Sequence, residues 1–204
     1  MDDPLPAKRP RGRPPAYDRD AALGRAGDVF WHNGYAATTL DDLSVATGMN
    51  RPSLYAAFGD KHAIYLETLA RYAKASQDKL EHVLARDQPL AAQLFAVYDA
   101  AIGIYLSGET ARGCFLVGTA VSEASDDPTI RERLLEALKQ MDRAYEARFE
   151  RARAAGELGA DADPRALAQV ACAVLNAIAV RARAGESRES LRRTARQAVK
   201  SLVA

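Results

Sequence analysis

Residues 38–61 read TTLDDLSVATGMNRPSLYAAFGDK, two short apolar-faced runs joined by an elbow that contains a glycine. Thr39-Leu40-Asp41-Asp42 fits a variant of the capping box and starts the first run, which ends at Gly48. Asn50 caps the second, Arg51 to Ala57, and Gly59 stops it. Leu40, Leu43 and Ala46 point to one side of the first run, Leu54 and Phe58 to the matching side of the second. Two short helices around a glycine elbow have the geometry of a helix-turn-helix, whose second helix is free to enter a major groove. That leaves Arg51, Ser53 and Tyr55 on the exposed side, with Asn50 beside them. Arginine reads guanine O6 and N7 with two parallel donors, a small hydroxyl suits base or phosphate, and a tyrosine hydroxyl suits phosphate.

Working outward, the periodicity predicts further helices and no strand. A first helix spans about Asp18 to His32, with Leu23, Ala26, Val29 and Phe30 on its apolar face and Asn33-Gly34 as its stop. Asp60 caps a fourth from Lys61 to about Leu84, and Leu90, Leu94, Val97, Ala101 and Ile102 mark a fifth. A sixth is expected over Ala111 to Glu123, a seventh over Pro128 to Ala155, an eighth over Pro164 to Ala184 and a ninth over Arg188 to Val203. β-branched alternation is nowhere sustained, so the expected class is all-α with about nine helices. Upstream, residues 4–15 hold five prolines and four basic residues, which reads as a disordered basic arm over 1–17.

Residues 22 to 69 resemble the DNA-binding headpiece of the TetR family of transcriptional regulators. The resemblance rests on Phe30, Gly34-Tyr35, Thr38-Thr39, Leu40 to Ala46, Gly48, Leu54-Tyr55-Ala56-Ala57-Phe58 and Lys61. It implies a helix-turn-helix domain over 18–62 and a ligand-binding and dimerisation domain over 63–204. It also implies that Thr39 and Tyr55 bind phosphate, that Arg51 and Ser53 sit at base edges, and that Lys61 meets phosphate. Pro52 and Ala57 depart from the pattern, where glycine or another small residue and histidine are more frequent. In the arm, Arg11-Gly12-Arg13-Pro14 is the core of an AT-hook. Arg11 and Arg13 there either enter an A·T minor groove or belong to a plain basic tail that adds only phosphate attraction.

For the remainder, the resemblance implies an effector pocket, and Phe95, Tyr98, Ile102, Tyr105, Cys114, Phe115 and Val117 are its candidates, suited to a largely apolar molecule. A filled core is the alternative for each. Cys114 would sense oxidants or electrophiles only with a stabilised thiolate; a free buried cysteine is ordinarily inert. The last two helices resemble the family's dimer interface, with Leu167, Val170, Val174, Leu175, Ile178, Leu191, Ala195 and Val199 as contacts.

Two cysteines and three scattered histidines match no metal spacing, so no metal or cofactor is expected. A Gly-rich phosphate loop, a nucleophile elbow and a paired His and carboxylate motif are all missing, which argues against an enzyme. The acidic start and the short apolar run Val170 to Val180 predict neither a signal peptide nor a membrane span, hence a cytoplasmic protein. Charge is nearly balanced, with 28 Lys and Arg against 27 Asp and Glu, and residues 1–61 carry eight bases and eight acids. The expected function is a homodimeric repressor that binds a palindromic double-stranded DNA operator and is released by a small-molecule effector. An effector-independent architectural DNA-binding protein is the alternative.

Overall fold

The computed structural model describes residues 17–108 and 110–204. Within them the elements are α1 Arg19–Asn33, α2 Leu40–Thr47, α3 Arg51–Phe58, α4 Lys61–Leu84 and α5 Leu90–Tyr105. A π-helical turn, Leu116–Ala120, runs into the short α6 Val121–Glu123, followed by α7 Pro128–Ala154, α8 Pro164–Arg183 and α9 Arg188–Leu202. Nine helices and no strand among the described residues is the architecture read from the sequence. The arm, with Arg11 and Arg13, lies outside the described residues apart from Tyr17.

Side-chain caps set the helix starts. The Asp18 carboxylate accepts from the backbone N–H groups of Asp20 and Ala21, Asn50 from Ser53, and Asp60 from Ala63. Thr39 and Asp42 satisfy each other's backbone N–H in a full capping box. Each such cap contributes about 1 kcal/mol. Asp127 starts α7 in the same way, and its second oxygen lies 2.7 Å from His62 Nε2.

Two of these caps carry a pH prediction. Hydrogen bonds from the Thr39 hydroxyl and backbone N–H hold the Asp42 carboxyl below its usual range; the Ile130 backbone N–H, with His62 and Thr129, does the same for Asp127. A carboxylate depressed on folding adds stability that is complete above its unfolded pKa and is lost as pH falls through its folded pKa. Unfolding free energy is therefore expected to drop below about pH 5. In urea titrations at stepped pH, Asp42→Asn should flatten that slope; an unchanged slope would show that the cap contributes nothing to it.

One segment differs from the sequence expectation. The sixth helix does not start at Ala111, because residues 111–114 are non-helical. Arg112 and Gly113 both donate their backbone N–H to Tyr105 O, at 2.9 and 3.1 Å, folding the chain back on the end of α5. Gly113 has φ +66°, and a Cβ there would lie 2.8 Å from Ala179 O of α8. Only glycine allows that backbone conformation and that approach together.

In the body, α8 lies along α7 and also packs on α5 and α9, while α4 lies along α7. By length and composition α8 could cross a bilayer, with a mean hydropathy of 1.3 over its best window. Here its Ala168, Ala171, Leu175, Ile178, Ala179 and Ala182 side is packed into the chain's own core.

Headpiece and body share one apolar cluster. Phe30 is fully buried, with ring centroids 5.1 Å from Tyr65 and 6.1 Å from Tyr35. The Tyr65 and Thr119 hydroxyls lie 2.8 Å apart, and Trp31 packs 5.0 Å from Tyr72 and 5.8 Å from Phe115. Arg112 lies 4.4 Å over the Trp31 ring and donates to Asp28 at 2.8 Å, a polar strut from the body to α1. The domain boundary expected at 62/63 falls in the first turn of α4, which runs unbroken to Leu84.

Candidate nucleic-acid interface

The elbow between α2 and α3 is fixed from several sides. Gly48 ends α2 in the left-handed region at φ 69°, and Met49 is buried beneath it. Thr47 donates its hydroxyl to Leu43 O at 2.7 Å and accepts from Met49 N at 3.3 Å. Ser44 donates to Met49 O, and Arg25 of α1 donates to Thr47 O at 3.1 Å. Leu43, Leu54 and Phe58 are buried, as their spacing predicted, while Leu40 and Ala46 are half-buried. Ser44, Thr47 and Arg25 were missed from sequence, since nothing local marks a hydroxyl or guanidinium that bonds to a distant carbonyl.

On this frame Asn50, Arg51 and Tyr55 are exposed and Ser53 is half-buried. Arg51 is paired. Its Nε donates to Asp41 Oδ1 at 2.9 Å and its Nη2 to Asp41 Oδ2 at 2.7 Å. That pairing holds the Asp41 carboxyl below its usual range. The Asn50 side-chain oxygen is taken by the cap to Ser53 N at 2.9 Å. The Thr39 hydroxyl donates to Asp42 at 2.7 Å and accepts from its N–H at 3.2 Å, so it must turn to meet a phosphate. Lys61 sends two N–H groups to Tyr35 O and Thr38 O, at 3.1 and 2.9 Å, and lies 4.4 Å from the Tyr35 ring centroid. One ammonium proton remains for a phosphate.

The body holds an apolar cleft between α4, α5, α7 and α8. Its cavity volume is about 80 Å³. Of the residues expected there, Tyr105, Cys114 and Val117 line it. The other four pack elsewhere. Phe95 lies against the guanidinium groups of Arg192 and Arg196, Tyr98 is buried with its hydroxyl donated to Ala171 O at 3.1 Å, and Ile102 is wholly buried. Phe115 belongs to the aromatic junction with Trp31, Tyr65 and Tyr72. Sequence reading missed the α4 wall, Tyr72, Ser76, Lys79 and Leu80, because its periodicity is that of any amphipathic helix. Tyr72 donates its hydroxyl to Cys114 Sγ at 3.5 Å. Burial pushes the Cys172 thiol up to about 12, which leaves it unreactive near neutral pH.

The expected dimer contacts divide. Leu175, Ile178, Leu191, Ala195 and Val199 are buried within the chain itself, where α8 and α9 cover α5 and α7. Leu167 and Val174 are half-buried, and Val170 is 51% exposed. The reachable face of α8 is Val170, Ala173, Ala177 and Val180, spaced 3, 4 and 3 residues apart.

Comparison with known proteins agrees with this geometry. Residues 23–68 match the model of the bacterial regulatory proteins, tetR family, and residues 91–198 match the tetracyclin repressor-like C-terminal domain. The HTH-type transcriptional repressor ComR of Escherichia coli is 34% identical over 185 residues, covering 90% of this chain and 88% of that protein. An uncharacterized HTH-type regulator of Bacillus subtilis, YezE, is 28% identical, covering 78% and 82%. Among solved structures, a cysteine-substituted form of the TetR family regulator CifR, complexed with 26-bp double-strand operator DNA, superposes with a TM-score of 0.85. It is 33% identical, and the match covers 93% of this chain and 99% of that one.

Proposed function

The chain belongs to the TetR family of DNA-binding transcriptional regulators, and on that premise we propose a dimeric repressor that leaves its operator when a largely apolar small molecule enters the cleft. One observation carries the effector step. The first turn of α4 belongs to the headpiece, where Lys61 ties down the 35–38 turn, and the same unbroken helix presents Tyr72, Ser76, Lys79 and Leu80 to the cleft. Pockets for drug-sized ligands are about 300–1,000 Å³. A ligand of that size must spread the narrow cleft and displace α4, carrying the headpiece with it. A coupling of about 1–3 kcal/mol is enough to change operator affinity about 5–150-fold.

At the DNA, Arg51 and Ser53 read base edges from the start of α3, with Asn50 beside them, while Thr39, Tyr55 and Lys61 hold phosphates. Arg11 and Arg13 add contacts from the arm. Val170, Ala173, Ala177 and Val180 meet the same residues of a second copy across a two-fold axis. The operator is then palindromic, with half-sites about 34 Å apart or a multiple of that. We place the protein in the cytoplasm with its DNA and assign it no catalytic step.

The test needs no knowledge of the effector. A duplex is first selected from a randomised pool by the wild-type protein. Ala101→Phe, which fills the cleft from within, should then bind that duplex at least about fivefold more weakly while remaining a folded dimer. Unchanged binding would favour an architectural protein with no effector coupling.

A further inference from the structure

The Arg51–Asp41 pair is side-on: Nε and Nη2 engage the carboxylate, and among the described residues Nη1 has no hydrogen-bond partner. Guanine is read by two parallel N–H groups that reach O6 and N7 together. The end of the guanidinium, Nη1 with the second proton of Nη2, presents such a pair while the side edge stays on Asp41. Asp41 is the second residue of α2 and Arg51 the first of α3, so the contact spans the elbow and ties the start of the recognition helix to α2.

From this we propose that Asp41 is a positioning residue for base readout, clamping the side edge of Arg51 so that its end faces guanine. The inference rests on the operator-binding reading and deepens it. An arginine on an exposed helix start has many rotamers, and only a few aim at one base. A planar carboxylate that matches the fork restricts them before the DNA arrives. The same negative charge opposes use of Arg51 as a general phosphate anchor, because Asp41 would approach the backbone with it. Specific binding is thereby favoured over binding to arbitrary duplex. A charge that only supported the start of α2 would act on helix stability and would not be tied to one base pair.

The experiment uses the full-length protein at one fixed salt concentration. A duplex selected by the wild type from a randomised pool, its single-base-pair variants and a scrambled duplex of equal length are the probes. The wild type should discriminate at one G·C pair per half-site by about 5–150-fold, and Arg51→Ala should abolish discrimination at that pair. Asp41→Ala should cut it there to about threefold or less, with the other pairs still discriminated and the scrambled duplex bound equally or more tightly. Asp41→Asn, which keeps the side-chain shape, should fall between, and it replaces Asp41→Ala should that variant not fold. Wild-type discrimination at the Arg51-dependent pair in either Asp41 variant overturns the proposal, as does an even loss over all pairs. If Arg51→Ala alters no pair, base reading by Arg51 fails and the proposal with it, while operator binding itself still stands. If the wild type selects no sequence, the regulator reading fails as well.

Discussion

Phe30→Ala is expected to lower the unfolding free energy by about 3–5 kcal/mol, the range for removing a large aromatic from a packed core. The ring is fully buried and packs on Tyr65 of α4 and Tyr35 of the following turn. Tyr65 in turn touches Thr119 and Phe115 of the body. The cavity therefore opens in the seam between headpiece and body. Because one apolar cluster runs through both, the loss should shift a single urea transition rather than release the headpiece alone. A separate early headpiece transition, or a loss under about 1 kcal/mol, would show that the seam is not a shared core.

Ala177→Arg should convert the dimer to a monomer at micromolar concentration and weaken operator binding by about 100-fold or more. Ala177 is exposed at the centre of the Val170, Ala173, Ala177, Val180 stripe. Two-fold symmetry brings each copy's substitution close to its mate, so two guanidinium groups enter one apolar contact without a counter-charge. The variant should keep its helical circular dichroism, since position 177 faces away from the chain's own core. Sedimentation velocity reads the first effect and titration of the selected duplex the second. A stable dimer would move the interface off this face of α8.

The starts and stops of the headpiece helices were legible because they are local. Asp18, Thr39, Asn50 and Asp60 cap by bonding backbone two or three residues ahead, and α4 begins and ends where its pattern says. Gly113 misled for the opposite reason. Residues 111–115 have the composition of a helix, and only the approach of Ala179 from α8 makes the glycine a bend. Leu175 and Val170 sit five residues apart on one broad apolar helix, yet one is buried and the other half exposed. Sequence gives the width of such a face but not which part the chain keeps for itself. Arg51 and Asp41 were both legible as residues, one as a base reader and the other as a helix-start charge. Their pairing depends on the angle between two helices, which no spacing encodes.

The side-chain caps of the headpiece have a consequence at the scale of the chromosome. Between Asp18 and Lys61 the caps and first turns bring five aspartates, and Asp28 a sixth, against four basic residues, Arg19, Arg25, Arg51 and Lys61. Arg19 and Arg51 are themselves held by Glu67 and Asp41. Affinity for arbitrary duplex comes mainly from basic groups that displace counterions. A headpiece with so few free cations adds little to binding at the roughly 10⁶–10⁹ competing positions in a genome beyond what the basic arm supplies. Telling the operator from surrounding DNA is then left to the base-reading face of α3, with the arm setting the background against which it works.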